Sequence, residues 1–232
     1  MATFQAQVQG LTQLTMGTDP APSTAELTQF LIDGVLDVTE KWLKGNPQDR
    51  EVFMNETALQ VAQGADIGGA DIISVLRADG VTAGNFRPCR KISPSQQSQV
   101  TDVDSLSFAS KYHPVYMVSG SNVKVFPAPS DNSGKDSYKV IYVNNIPKDS
   151  GGASLGYSDS ALGYFPADKT YLVVLYASVK TLEVAAGSKI AAQDTELQQA
   201  YGQLSATLNQ QYNAAFQPQQ QQQPAGRPRP RR

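Results

Sequence analysis

The hydrophobic positions of the chain follow a helical period near both ends and an alternating period in the middle. After residue 23, apolar side chains recur every three or four positions, which places them on one face of a helix: Leu27, Phe30, Leu31, Val35, Val38 and Trp42. Ser23 and Glu26 have the spacing of a capping box, and "GNP" at 45–47 is a stop signal. The pattern therefore predicts an amphipathic helix between these two signals.

The middle of the chain predicts strands. A short strand is expected at Ile72–Leu76, and three more in "PVYMV", "NVKVFP" and "SYKVIYV". The segment "FRPCRKIS" can pair with the first strand, although Pro88 restricts it to an edge or a bulge. With "SGSN" and "APSDNSGKD" as hairpin loops, residues 72–146 predict one small, mostly antiparallel sheet.

Two short helical pieces are expected beside these strands. The segment "PQDREVFMNETALQVAQG" predicts a second, shorter helix that ends near Gly64. The segment "DVDSLSFAS", residues 102–110, predicts one capped helical turn.

The most apolar stretch is "FPADKTYLVVLYASVKTLEVAAG", which holds no charge between Tyr171 and Val179. A membrane span needs about 20 apolar residues in a row, and Lys180 and Glu183 interrupt this run, so we do not expect it to cross a membrane. A strand and a helix both fit the run, but Pro166 and Asp168 are helix start signals and favour the helix. Its first turns are apolar on every side, which predicts burial from more than one direction.

A last helix is predicted from a cap near Asp194 to a stop at Pro218, with one apolar stripe: Leu197, Tyr201, Leu204, Leu208, Tyr212 and Ala215. Three amphipathic helices cover only part of the circumference of the 166–187 helix. We therefore expect its remaining face to meet a neighbouring subunit, through Tyr171, Val174, Tyr176 and Val179.

These elements predict an α+β fold, in which N- and C-terminal helices form a helical bundle around a β-rich insertion. Residues 1–22 are expected to be an extended arm, and "PKDSGGASLGYSDSALG" a flexible connector. Residues 23–216 form a single domain, with a helical layer at 23–64 and 165–216 and the insertion at about 72–146. Residues 217–232 are a low-complexity tail without apolar anchors.

Composition narrows the function classes. The 232 residues are 40% hydrophobic and 17% charged, with a formal net charge of -2, which argues against electrostatic binding of nucleic acid by the body of the protein. A single cysteine, Cys89, excludes an intramolecular disulfide and a cysteine-based metal cluster. The first ten residues lack the pattern of a signal peptide, so we expect a soluble protein kept in a reducing compartment.

The pattern of reactive side chains gives little support for catalysis. His113 is the only histidine; a dyad with Cys89 is conceivable, but isolated residues of both types are mostly structural. The segments "GGASLG" and "GADIGG" lack the spacing of phosphate-binding loops, and the acidic positions near 102–104, Asp131 and Asp136 lack the ligand pattern of a calcium loop. We therefore expect no enzyme, no cofactor and no metal.

Four arginines crowd the last six residues: Arg227, Arg229, Arg231 and Arg232. Such a cluster can be a solvated tail, or it can bind phosphate or an acidic protein surface. We expect a docking arm on a partner protein, with DNA as the competing target.

The helix, the segment "LSFASKYHPVYMV", the pair "VKVFPAPSDNSGKDSYKVIYV" and the segment "FPADKTYLVVLYASVKTLEVAAG" together resemble the head-to-tail adaptor proteins (neck, or tail-tube A-like) of tailed bacteriophages, over roughly residues 20–216. The resemblance implies a helical bundle with a β-rich insertion and a ring of twelve subunits in the neck of the virion. The portal protein would lie above the ring and the tail tube or nozzle below it. Genomic DNA would pass through the centre without sequence-specific binding, and assembly would take place in the bacterial cytoplasm.

Two alternative hypotheses about the function remain. Another virion protein, such as a tail-tube or capsid-decorating subunit, fits the composition, but tube proteins are dominated by sheets. An enzyme with an unrecognised site is the remaining alternative.

Overall fold

The protein has the mixed α and β architecture that its sequence predicts. A computed structural model describes residues 2–82, 84–130, 135–144, 147–191 and 194–217. Within these ranges the helices are α1 (Phe4–Thr12), α2 (Thr24–Gly45), α3 (Gln97–Thr101), α4 (Thr170–Ala191) and α5 (Thr195–Ala214). Three short 3-10 helices occupy Pro47–Phe53, Pro94–Gln96 and Ala167–Lys169.

Helix α2 begins with the predicted capping box. The Ser23 hydroxyl accepts a hydrogen bond from the Glu26 backbone N–H at 3.2 Å, and the Glu26 carboxylate accepts one from the Ser23 N–H at 2.8 Å. These two bonds satisfy backbone donors that a helix N-terminus otherwise leaves free. The local sequence alone therefore fixes where this helix starts.

Helix α4 lies at the centre of the helical region, which we define as α1, α2, α4 and α5. All three other helices pack against it, so the helix predicted for the apolar run is confirmed and the strand alternative is wrong. Close packing with α2 depends on Gly34, where a methyl group would lie 3.1 Å from Cδ1 of Tyr176. In the part of the chain that the structure describes, no helix is long and apolar enough to span a membrane.

The expectation of an extended arm over residues 1–22 is wrong, because α1 forms there and enters the core. Thr3 caps this helix by accepting from the Ala6 N–H, and Phe4 and Val8 are fully buried. Only two large apolar residues, one turn apart, face the core from this short helix. Their burial against α4, rather than local helix propensity, stabilises it.

The β region consists of two four-stranded sheets that share one apolar core. The first sheet has the order β1-β8-β3-β4, and its strands are β1 (Met54–Glu56), β3 (Ile72–Ala78), β4 (Phe86–Pro88) and β8 (Tyr138–Val143). The second has the order β2-β7-β6-β5, and its strands are β2 (Ala65–Asp66), β5 (Arg90–Lys91), β6 (Val115–Ser119) and β7 (Asn122–Phe126). Side chains from both sheets, including Val75, Tyr138 and Val123, form the core between them.

The four predicted strand segments are confirmed, but their pairing differs from the expectation of one sheet. The loop at 119–122 does join β6 and β7 as a hairpin, and β4 pairs with β3 as "FRPCRKIS" suggested. The segment after Phe126, however, leads into the other sheet, where β8 pairs with β1 and β3 instead of β7. Long-range pairing in a two-sheet core is decided by packing and cannot be read from loop length.

Two predicted helical pieces are also wrong in extent. The piece over residues 47–64 ends at Phe53, and β1 follows at once. Residues 102–110 form turns, while the short helix α3 lies just before them. At both places tertiary contacts override a weak local preference.

The expected flexible connector is an ordered segment that packs on the helical region. It contains the short paired strands β9 (Lys148–Asp149) and β10 (Leu162–Gly163), and its Leu155 is buried among the helices. The N–H groups of Phe4 and Gln5 donate to the carbonyls of Asp159 and Tyr157 at 2.7 and 3.0 Å. The connector thus anchors the start of α1.

The chain leaves and re-enters the helical region at one junction. β1 carries it outward and β8 brings it back, and the two strands are antiparallel neighbours with Met54 opposite Val143. Phe53, just before β1, packs edge-on against Phe165, which precedes α4, with the ring centroids 5.5 Å apart. The β region is therefore an insertion whose two ends are held side by side.

Candidate subunit interfaces

The four residues expected to meet a neighbouring subunit have different environments in the structure. Val174 and Val179 are only 4% and 7% exposed, because α1, α5 and the rest of the helical core cover them. Their assignment to an intermolecular surface is therefore corrected: Val174 lies beside α1, which the sequence did not predict, and Val179 lies between α2 and α5. Tyr176 is half-buried, whereas Tyr171 is 54% exposed in the first turn of α4.

Tyr171 lines an open groove between α1, α4 and α5, with a volume of about 560 Å³. Leu11, which is 39% exposed, lines the same groove from α1. Val174 and Leu175 contribute to its floor, and Gln211 borders it from α5. We call this surface the α1–α4 groove. It is an apolar surface beside α4 that remains accessible in the described structure.

A second groove, of about 660 Å³, lies in the β region between the β4–β5 segment and the turns at 106–114. We call it the basic groove, because Arg87, Arg90 and His113 line it and none of its described lining residues carries a carboxylate. Apolar side chains complete it, and three of them are exposed: Leu106, Phe108 and Tyr112.

The two sheets position the basic groove. The Cys89 N–H donates to the Val75 carbonyl of the first sheet at 2.8 Å, and the Arg90 N–H donates to the Pro114 carbonyl beside the second sheet at 3.0 Å. Consecutive residues thus bind the edges of different sheets, which places Arg87 and Arg90 at the line where the edges meet.

The side chains of the two arginines are held differently. The Arg87 guanidinium lies over the Tyr112 ring, 5.1 Å from its centroid. The pKa of the nearby Asp79 carboxyl is lowered, chiefly by hydrogen bonds from the N–H groups of Val81 and Thr82 and least by the charge of Arg87. Arg90 is exposed and makes no ion pair within the described residues. Its charge is free to meet a partner.

The candidate catalytic pair does not have the properties of a nucleophile and its base. Burial raises the pKa of the Cys89 thiol to about 12, so the thiolate is scarce at neutral pH, whereas reactive cysteines have a lowered pKa. His113 is exposed, and its backbone N–H donates to Ser110.

The acidic positions show turn geometry. The Asp102 carboxylate accepts a hydrogen bond from the Asp104 N–H at 3.1 Å, and Asp136 is bound by Arg77 and Ser130. Asp131 lies outside the described residues. Among the residues that are described, no group of three or more His, Cys, Asp and Glu side chains could hold a metal ion.

The end of α5 is fixed to α2 by an aromatic and charged cluster. The Tyr212 hydroxyl donates to the Asp37 carboxylate, which also forms an ion pair with Lys41 at 2.8 Å. The Lys41 ammonium lies 4.8 Å from the centre of the Tyr212 ring, and Phe216 packs against the same tyrosine. The C-terminal end of α5 is therefore held firmly against α2.

The tail arginines, Arg227, Arg229, Arg231 and Arg232, lie outside the described residues, so their role stays a prediction. Comparison with known proteins adds no assignment: no protein-family model matches the chain, and the search of curated proteins gives no match.

Sequence reasoning did not find the basic groove. Arg87 and Arg90 stand in one segment and Tyr112 in another, and the pairing of β5 with β6 brings the two segments together. The run of exposed apolar residues at 103, 106, 108 and 112 was the available signal, because a soluble chain seldom places so many in one polar loop without a partner.

Proposed function

We propose that the chain is a structural virion protein, a head-to-tail adaptor subunit of a tailed bacteriophage. Twelve copies would form a ring between the portal protein and the tail tube or nozzle, and genomic DNA would pass through the centre. The observation that carries the proposal is the order of the elements. Helices from both ends of the chain pack around α4, with the β region inserted between α2 and α4. This order supports the helical bundle with an insertion that the resemblance implies.

The α1–α4 groove supports the proposal, because it offers an apolar surface for a neighbouring subunit. Tyr171 and Leu11 belong to different helices, and the exposed parts of both side chains line the same groove. Aromatic side chains are enriched at the centre of protein interfaces, where a large apolar area is buried with little loss of conformational freedom. Tyr171 is therefore the proposed anchor of the subunit contact. Tyr176, five positions further along α4, packs toward Gly34 of α2 and Tyr212 of α5 and is outside this groove.

The low net charge of the chain suits a ring through which DNA moves. Lysine and arginine contacts to phosphate bind DNA strongly and would slow its passage. With a formal charge of -2 over 232 residues, the chain has no general attraction for a polyanion.

The four tail arginines are proposed to bind the portal protein. Removal of residues 217–232 should leave the fold intact and weaken attachment to portal-bearing heads.

The decisive experiment places the chain in the particle. Gold-labelled antibodies raised against the purified protein should label the junction of head and tail in negatively stained virions that contain it, and averaged images should show a closed ring there. Labelling along the tail tube or over the capsid surface would contradict the adaptor function and favour one of the other structural classes.

The Tyr171 contact is tested in the same particles with matched variants. Tyr171→Glu should reduce incorporation into virions, because it places a charge in the proposed interface. Val184→Glu changes another exposed apolar residue of α4 by the same charge and should incorporate normally. Equal incorporation of both folded variants would show that the groove is not a subunit contact.

A further inference from the structure

We propose that opposite edges of the first sheet bind each other between copies of the chain, head to tail, with the acidic edge at β1 of one copy meeting the basic groove beside β4 of the next. This inference rests on the proposed ring and names the surfaces that would build it. Its basis is that the surfaces beside the two terminal strands of the first sheet carry opposite charge and exposed apolar side chains. Glu51 lies just before β1, whereas Arg87 lies in β4 and Arg90 follows it in β5, a terminal strand of the second sheet.

The acidic edge consists of Glu51, β1 and the residues after it. Glu51 is exposed and makes no ion pair within the described residues. Glu56 is exposed on β1 and forms an ion pair at 2.8 Å with Lys139 of the neighbouring strand β8. The exposed apolar residues on this edge are Val52, Met54, Leu59 and Val61.

The basic groove offers the complementary chemistry at the other edge. Arg90 carries a charge without an ion-pair partner in the described part of the chain, and Lys91 beside it is exposed as well. Leu106 and Phe108 provide exposed apolar surface in a cavity large enough, at about 660 Å³, to take side chains from a partner. Apolar surface supplies affinity and complementary charge sets orientation and the rate of association.

The acidic edge and the basic groove of the same copy cannot bind each other. Strands β8 and β3 separate β1 from β4, and three spacings of neighbouring strands amount to about 14 Å. β1 and β4 are also the terminal strands of their sheet, and an edge strand presents backbone groups to any chain that approaches it. The partner that fits both edges at once is therefore a second copy of this chain.

The geometry of such a contact is heterologous, because a different surface of each copy takes part. Each copy then keeps one free edge of each kind, so that the contact repeats from copy to copy. A repeated heterologous contact closes into a ring when its rotation closes. A contact between identical patches would stop at a dimer.

Charge reversal in the full-length protein tests the pairing. Arg90→Glu and Glu51→Arg should each weaken self-association, measured by sedimentation velocity over a concentration series, by about tenfold, which corresponds to about 1.4 kcal/mol. The double variant, which has the net charge of the natural chain, should return to within about threefold of its affinity. Lys124→Glu, which changes a half-buried lysine of β7 by the same charge as Arg90→Glu, is the matched control and should leave association unchanged.

Mixing the two single variants gives an independent readout. The intact acidic edge of Arg90→Glu meets the intact basic groove of Glu51→Arg, and the two reversed surfaces are complementary as well. An equimolar mixture should therefore associate more tightly than either variant alone.

Two results would overturn the inference. One is a mixture that associates no better than its components; the other is a natural chain that stays monomeric up to about 1 mM, since such a weak contact could not assemble a ring. Both are separate from the failure of the adaptor function, which the position of the label in virions decides.

Discussion

The burial of Phe4 gives the strongest quantitative test of the fold. Phe4 has 0% exposure and shares a core with Leu172 and Val173 of α4. Replacement of a buried phenylalanine by alanine costs about 3–5 kcal/mol, through lost transfer free energy and the cavity that remains. Total stabilities are about 5–15 kcal/mol, so Phe4→Ala should remove a large part of the free energy of unfolding.

The expected change is measurable by urea unfolding. With a denaturant dependence of about 2–3 kcal/mol per molar urea for a chain of this size, the midpoint should fall by about 1–2 M. Far-UV circular dichroism reports the helices, and the fluorescence of Trp42, the single tryptophan, reports the C-terminal end of α2. Coincident transitions by both probes would show that the helical region unfolds as one unit.

Leu11→Ala is the matched control on the same helix. Leu11 is 39% exposed, so its truncation leaves no closed cavity and should cost less than about 1 kcal/mol. Similar small losses for Phe4→Ala and Leu11→Ala would refute the docking of α1 and restore the interpretation of residues 1–22 as an irregular arm.

Three further predictions concern single interactions. Ser23→Ala removes the capping box of α2 and should lower the free energy of unfolding by about 1 kcal/mol in the same assay; an unchanged midpoint would show that the cap contributes nothing. Arg77→Met leaves the buried Asp136 carboxylate without its guanidinium and should cost about 3–5 kcal/mol, while Arg77→Met combined with Asp136→Asn should cost less than the sum of the two single changes. Burial opposes ionisation of Asp136, but the hydrogen bond from the Ser130 hydroxyl and the charge of Arg77 outweigh burial and lower the pKa of this carboxyl. The stabilisation by the carboxylate is therefore present above its ordinary pKa and is lost as the pH falls through the lowered pKa. Asp136→Asn should flatten the acid side of the profile of stability against pH, and an unchanged profile would contradict the lowered pKa. Cys89, with a pKa raised to about 12 by burial, should react with iodoacetamide at pH 8 at least about 100-fold more slowly in the folded protein than in urea, and equal rates would contradict its burial.

The elements that the sequence predicted well are those specified by local signals. The Ser23–Glu26 box marks the start of α2, and the Asp194 side chain caps α5 by accepting from the Leu197 N–H. The helical state of α4 was predicted correctly, but Pro166 precedes the 3-10 helix Ala167–Lys169 and α4 itself begins at Thr170. For the starts of α2 and α5, a few neighbouring residues contain the whole physical cause.

The elements that the sequence did not predict depend on distant partners. Helix α1 has two apolar anchors among glutamines, and only the surface of α4 and the connector make it stable. The pairing of β8 with β1 and β3 joins residues that are distant in the sequence. Asn55 and Tyr142 are an example: they are paired across β1 and β8, and their side chains are hydrogen bonded at 3.3 Å. The basic groove has the same origin, since its residues meet only after both sheets have formed.

The antiparallel pairing of β1 and β8 at the junction has a mechanical consequence. The ends of both strands that face the helical region lie on the same side, so tension between the two regions pulls along the strands and perpendicular to their interstrand hydrogen bonds. Bonds loaded in this direction must break together, whereas bonds at a strand end that is peeled away break one after another. A force that separates the β region from the helices therefore shears β8 against β3. Five residue pairs between these strands, from Ile72↔Tyr142 to Arg77↔Tyr138, share that force.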